Sequence, residues 1–182
     1  MTLDGFCDHT VLNPDDAIHQ HYTELLGQGD AILYGRTTYQ LMEYWRTFLE
    51  NPSDEEFMNA FAIAIDKIPK IVFSHTLKSV EWATAHLATR SPEEEVAALK
   101  QSPNDGRSKD IFVGSRSLII QLMNQNLVDE YQICVHPVVA GNGLPLFEPI
   151  NHRIMLKLIK TKTFNSGAVI LYYEPTDKDN SP

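Results

Sequence analysis

Two stretches of the chain repeat one design. Residues 31–42 read AILYGRTTYQLM and residues 111–122 read IFVGSRSLIIQL. In each, an apolar run ends at a glycine, hydroxyl and arginine residues follow, and apolar residues then recur at helical spacing. A short continuous apolar run fits a strand buried on both faces, and a strand feeding straight into a helix fits a parallel crossover unit. The repeat points to an α/β chain with parallel strands. It also brings two helix N-termini to the carboxyl edge of one sheet, where free amides and the positive end of the helix dipole favour anions. Taken singly, such a junction reads first as a plain turn in which glycine supplies a permissive backbone.

The remaining pattern extends this order. Strands are expected at 70–74, 110–113, 129–139, 155–164 and 168–174, besides 31–34. Helices are expected at 14–27, 36–49, from Ser53 to about Ile65, 91–100, and from Arg116 through the run RSLIIQLMNQ. Ser53/Glu56 and Ser91/Glu94 both have capping-box spacing, and Pro92 suits the first helical position. Asn165-Ser166-Gly167 signals a closing hairpin. Residues 102–108 read as a loop and the polar residues 176–182 as a disordered tail. The expectation is one α/β domain over 1–175, with a mainly parallel, mixed sheet ending in a C-terminal antiparallel hairpin.

A third strand, KIVFSHTL at 70–77, also ends in hydroxyls, Ser74 and Thr76. Three polar strand ends favour a dinucleotide site over three unrelated turns. The site follows no standard fingerprint: no GxGxxG follows a strand, no GxxxxGK[ST] exists, and Gly114-Ser115-Arg116-Ser117-Leu118 is not a GxSxG elbow. The formal net charge of −9 over 182 residues argues against a general nucleic-acid binder, though not against a local cationic pocket. Cys7 and Cys134 form no CxxC pattern and suggest a reducing compartment. With no signal peptide and no membrane-length apolar run, a cytoplasmic protein is expected.

Metal chemistry finds little support. His19 and His21 are two apart on a helix and diverge. Asp8 and His9 read as loop residues, His136 as a solvated or core-edge histidine, and Asp129 and Glu130 as a strand start with no acid–base pairing. Trp45 could stack on a substrate or pack in the core. Asp4 is the acid candidate: buried beside a cofactor its pKa would rise and suit proton donation, while before Gly5 it reads equally as a turn former.

The segments LDGF, ILYGRTTYQLMEYW, VFSHTL, DIFVGSRSLIIQLMNQNLVDEYQICVHPVVAGNGLPLF and FNSGAVILYYEP together resemble the dihydrofolate-reductase-like superfamily. Within it they are similar to stand-alone proteins related to the C-terminal reductase domain of the riboflavin-biosynthesis enzyme RibD. The similarity runs in order along almost the whole chain. It implies the three-layer dihydrofolate reductase fold, NADPH as cofactor, and hydride transfer to a small pteridine- or aminopyrimidine-like heterocycle, as in 5-amino-6-(5-phosphoribosylamino)uracil reductase or dihydrofolate reductase. By motif, Gly35, Arg36 and Thr37 would meet the cofactor phosphates and Ser74 the adenosine 2′-phosphate. Gly114, Ser115 and Arg116 would hold the pyrophosphate, with Leu118 packing nearby. Asp4 would face the nicotinamide and substrate, and Trp45, Pro137, Gly141 and Gly143 would shape the substrate pocket. A homodimer joined through the sheet edge and C-terminal region is implied as well.

The chain departs from the family pattern at several points. His75 stands where many relatives have Arg, and Val113 where they have Gly. Only Met1 and Thr2 precede Leu3, where a strand is usual. The Asp-Pro-x-Leu-x-x-Arg segment of the riboflavin reductase is replaced by YQLMEYWRTFLE. The helix carboxylate that serves dihydrofolate chemistry has no clear counterpart. Two readings follow from different classes: an NADPH-dependent reductase with a small-molecule substrate, or a nucleotide-binding or regulatory protein of the same fold without turnover.

Overall fold

The computed structural model describes residues 1–12, 14–101 and 110–176. The loop expected at 102–108 and the polar tail from 177 onward lie outside them. The chain forms two compact units, His19–Ile119 and Met1–Ile18 with Ile120–Pro182.

The first unit carries a four-stranded parallel sheet in the order β3-β2-β1-β4. These strands are β1 (Gly29–Gly35), β2 (Lys70–Phe73), β3 (Ala85–Leu87) and β4 (Asp110–Val113). Ala31, Ile32, Leu33 and Tyr34 are all buried, as expected of a central strand covered on both faces. The register pairs Ile32 with Lys70 on one side and with Phe112 on the other. Its helices are α2 (Arg36–Met42), α3 (Thr47–Glu50), α4 (Glu56–Lys67) and α5 (Pro92–Gln101). Helices α1 (Asp16–Leu26) and α6 (Arg116–Asn124) run across the limits of the two units. Leu26, Ile32, Tyr34, Tyr39, Ile65, Ile68, Val72 and Trp82 form the core.

Three local features differ from the sequence expectation. The helix from Arg36 tightens into a 3-10 turn at Glu43–Arg46 before α3, in the stretch that carries Tyr44, Trp45 and Phe48. Ser53 does not cap α4: its hydroxyl accepts the Glu55 amide at 3.1 Å, and Glu55 holds the N-cap position. The Asn59 side chain binds both backbone groups of Ser53, which keeps that residue in the preceding turn. The strand β3 is absent from the expectation, because Ala-His-Leu is too short to show a period. The Ser91/Glu94 capping box forms in both directions, at 3.0 and 3.3 Å.

The second unit holds the antiparallel sheet β5-β7-β6, formed by β5 (Tyr131–Val135), β6 (Leu156–Thr163) and β7 (Val169–Pro175). The turn at Asn165-Ser166-Gly167 closes β6 onto β7 with Gly167 at φ +83°. Asp15 anchors this turn, accepting the Ser166 amide through one carboxylate oxygen and the Ile18 amide at the start of α1 through the other. Where relatives usually carry a strand before Leu3, the N-terminal residues form an isolated parallel bridge. Thr2 bridges His136, the His136 amide donates to the Met1 carbonyl, and the Leu3 amide donates to Val138 at 2.7 Å. Thr176, placed in the expected tail, donates its amide to the Met155 carbonyl.

Lys70 is fully buried in the core. Its ammonium donates to the carbonyls of Ile68 (2.8 Å) and Asp66 (3.2 Å) and to the Thr84 hydroxyl (2.8 Å), and lies 4.1 Å from the centre of the Trp82 ring. It therefore caps the C-terminus of α4, where cations complement the helix dipole. Burial pushes its pKa down from 10.5 to about 8, with Asp66 opposing the shift. A folded pKa below the unfolded one means the unfolded chain binds more protons between those values, so this group's contribution to stability rises from about pH 8 to 10.5. Lys70→Met should cost roughly 2–3 kcal/mol in urea unfolding at neutral pH, because buried acceptors lose their donor. It should also flatten the alkaline rise. An unchanged pH profile would count against this assignment.

Candidate functional site

The carboxyl ends of β2, β1 and β4 lie side by side, and each hands over to polar residues. The Gly114 amide completes the β1–β4 ladder by donating to Leu33 at 3.2 Å. One residue further, the Gly35 amide donates to the Ser115 side-chain oxygen at 2.8 Å. A serine hydroxyl thus ties the two strand-to-helix junctions together, and Ser115 is buried while Gly35 and Arg116 are half-buried. Gly114 has a steric reason to be glycine: a Cβ there would lie 2.6 Å from the Tyr34 ring. At Gly35, a Cβ would meet Ser115 and Ser117 at ordinary contact distance.

Arg36 opens α2 with its guanidinium exposed and donates to the Thr76 hydroxyl at 2.9 Å. Ser74, just past β2, accepts the amides of Thr76 (3.2 Å) and Leu77 (3.0 Å). Thr37 is exposed on the first turn of α2, and Leu118 is a buried residue of α6. All eight residues assigned to the cofactor from sequence, Gly35, Arg36, Thr37, Ser74, Gly114, Ser115, Arg116 and Leu118, thus fall on three adjacent strand ends and the turns that follow. Their donors are guanidinium groups, hydroxyls and helix-terminal amides, the set that suits phosphate oxygens. Ser117 belongs beside them, and the second serine of Gly-Ser-Arg-Ser was its signal.

Tyr39 supports the edge from beneath. Its buried hydroxyl accepts the amides of Glu81 (3.1 Å) and Trp82 (3.3 Å), fixing the segment after β2 to α2. Trp45 is half-buried, 4.4 Å from the Phe61 ring centre and 5.7 Å from those of Tyr44 and Phe48.

In the other unit, Asp4 and the loop 137–143 come together. The Asp4 carboxylate accepts the amides of Gly141 (2.7 Å) and Ala140 (3.1 Å). Gly141 and Gly143 have φ of +80° and +146°, and a Cβ on Gly143 would lie 3.1 Å from Phe6. Pro137 is exposed and packs near Gly167. The expected buried Asp4 with a raised pKa is corrected here. Asp4 is exposed, and hydrogen bonds from the Thr2 hydroxyl and the Gly141 and Ala140 amides hold its pKa down to about 2. It is ionised at neutral pH and fastens a loop; it is not poised to donate a proton. His136 is buried, with its imidazole 3.5 Å from Cys134 Sγ; burial, then the nearby Met1 ammonium, lowers its pKa. Among the described residues no cluster suited to a metal ion occurs, and no helix is long and apolar enough to cross a membrane.

The sequence model of the RibD C-terminal domain family matches residues 1–170. The chain is 35% identical over 181 residues to the uncharacterized protein YyaP of Bacillus subtilis (strain 168), covering 95% of this chain and 90% of that one. It belongs to the RibD C-terminal domain family. A putative riboflavin biosynthesis protein from Shewanella sp. PV-4 superposes with a TM-score of 0.69 at 20% identity, covering 97% of this chain and 95% of that one. Dihydrofolate reductase from Enterococcus faecalis, solved with NADP(H), superposes with a TM-score of 0.62 at 12% identity, covering 97% and 92%. The fold is dihydrofolate-reductase-like, as the motifs implied.

Ser115→Ala should leave the Gly35 amide without its partner and cost about 1–3 kcal/mol, the range for an orphaned buried group. Amide exchange at Gly35 should accelerate in parallel. Unaltered stability and exchange would show that the two junctions are held by other contacts.

Proposed function

We propose that this protein is an NADPH-dependent reductase that transfers hydride to a small flat heterocycle. A reductase-type function accords with the family and fold; the cofactor and substrate class are our reading. The observation that carries it is the joined edge of β2, β1 and β4, where Ser115 fastens Gly35 and Arg36 reaches Thr76. On a chain with net charge −9, an anionic cofactor needs such local cations and oriented amides. In this reading Arg36, Ser74 and Thr76 take the phosphate of the adenosine ribose. The turns at Gly35 and Gly114, with Arg116, take the pyrophosphate. The nicotinamide, when bound, supplies the hydride. The chain's own residues bind and orient, and Asp4 acts as a positioning group for the 137–143 loop.

Arg36→Ala should weaken NADPH binding by roughly 1.5–3 kcal/mol, the range for a hydrogen bond to a charged group. Calorimetry showing equal affinity would sink the assignment. The ionised Asp4 favours a second reading, in which the protein binds the nucleotide without turnover. Loss of nicotinamide absorbance in the presence of pterins and aminopyrimidines separates the two, because only the reductase consumes the cofactor.

The ribosylaminopyrimidine phosphate of riboflavin synthesis fits this reading poorly. Its distal phosphate needs its own donors, and the segment after Gln40 offers exposed Leu41 and Tyr44 instead. Its cation, Arg46, lies 3.8 Å from Glu43 in an ion pair. The protein should fail to restore riboflavin-independent growth to a strain lacking that reductase. Growth, with kcat/KM of roughly 10⁴ M⁻¹s⁻¹ or more, would contradict this.

A further inference from the structure

The cofactor reading gives parts to Ser74 and Thr76 and leaves the residue between them, His75, without one. A turn just past β2 holds all three. The Ser74 hydroxyl accepts the amides of Thr76 (3.2 Å) and Leu77 (3.0 Å), and the Arg36 guanidinium reaches the Thr76 hydroxyl at 2.9 Å. His75 is exposed in that turn. Among the described residues no hydrogen bond, ion pair or ring contact engages its imidazole. Consecutive Cα atoms are about 3.8 Å apart. An anion that takes the Arg36 guanidinium beside Thr76 therefore lies within reach of an imidazole on the preceding residue.

The charges around this turn make His75 its titrating member. Arg36 starts α2, and Lys78 and Glu81 follow His75 in the same segment. Three residues past β3, the strand beside β2, Arg90 pairs with Glu95 at 3.5 Å. Arginine, lysine and glutamate side chains ordinarily keep their charge between about pH 6.5 and 8.5, whereas imidazole loses its proton there. A phosphate monoester sheds its second proton near about pH 6, so it meets His75 as a dianion over most of that range. An imidazolium gives the dianion a charge-assisted hydrogen bond; a neutral imidazole leaves it to Arg36 and the hydroxyls. Such pairing raises the imidazole pKa in the complex, so between the free and bound values the complex holds more protons than the free protein. Affinity for a nucleotide with a phosphate on its adenosine ribose then rises as pH falls, and a nucleotide with a free ribose hydroxyl gains nothing. Protonation of the phosphate itself acts the other way, because a monoanion holds Arg36 less strongly.

We infer that His75 is a specificity-determining residue whose imidazolium pairs with the phosphate on the adenosine ribose, so that pH sets the preference for NADPH over NADH. The inference rests on the cofactor reading above and adds the regulation of that same site. Calorimetry with NADPH and with NADH, at about pH 6.5 and 8.5 and one ionic strength, reads the ratio of the two affinities. The ratio should be at least about fivefold larger at the lower pH, the effect of one exposed ion pair. At about pH 7.5, runs in buffers of different ionisation enthalpy should show that NADPH binding takes up more protons than NADH binding. His75→Gln should abolish both the rise and the extra proton uptake, with circular dichroism unaltered. His75→Arg should keep the ratio high at both pH values. A ratio that does not change with pH, or a rise that survives in His75→Gln, would overturn the inference and leave the cofactor reading standing. Binding of neither nucleotide at either pH would overturn both.

Discussion

A single hydrogen bond, from the Gly35 amide to the Ser115 hydroxyl, governs the geometry of the polar edge. The main-chain ladder between β1 and β4 ends with the Gly114 amide on Leu33. Beyond it the two chains enter different helices, and nothing in sheet geometry would keep them in register. The serine hydroxyl adds one more rung, made from a side chain. Tyr34 reinforces it from the core, because its buried ring leaves no room for a Cβ on Gly114 and so fixes how closely the second junction approaches the first. The starting directions of α2 and α6 then follow, and with them the positions of Arg36 and Arg116.

Several other cations of this acidic chain are committed to structure. Lys70 is enclosed as the cap of α4. On β6, an edge strand, Lys160 lies 4.4 Å from the Tyr172 ring centre and Lys157 pairs with Glu174 at 3.4 Å. Charged side chains of this kind shield an edge from pairing with another strand. Arg46 is tied to Glu43. Arg36 differs in kind: its guanidinium is exposed at a strand end and donates to a neutral hydroxyl, that of Thr76.

The two junctions were legible in the sequence because both of their signals are local: an apolar run of strand length and the glycine that ends it. The Ser91 cap was legible for the same reason. Ser53 had the same four-residue signature, yet Asn59 outcompeted the helix for its backbone groups, and that contest spans six residues. The break at Glu43 and the three-residue β3 were hidden, since neither is long enough to display a period. The role of Lys70 was hidden more deeply. A lysine heading an apolar strand reads as a solvated end, whereas its partners Asp66, Thr84 and Trp82 come from an approaching helix and a following loop. Asp4 was misread in environment: the residue type suggested an acid, but its charge state is set by the Thr2 hydroxyl and by amides more than 130 positions away.

That charge state narrows the chemistry open to a reductase of this kind. Hydride addition to an isolated C=N bond leaves charge on nitrogen, which demands a proton at once from a positioned acid. An ionised Asp4 cannot supply it. Hydride addition to a conjugated oxo-heterocycle spreads the charge onto a carbonyl oxygen, which a single donor can stabilise while water delivers the proton. Within the reductase reading the ionised Asp4 therefore favours an acceptor whose reduced form carries its negative charge on oxygen.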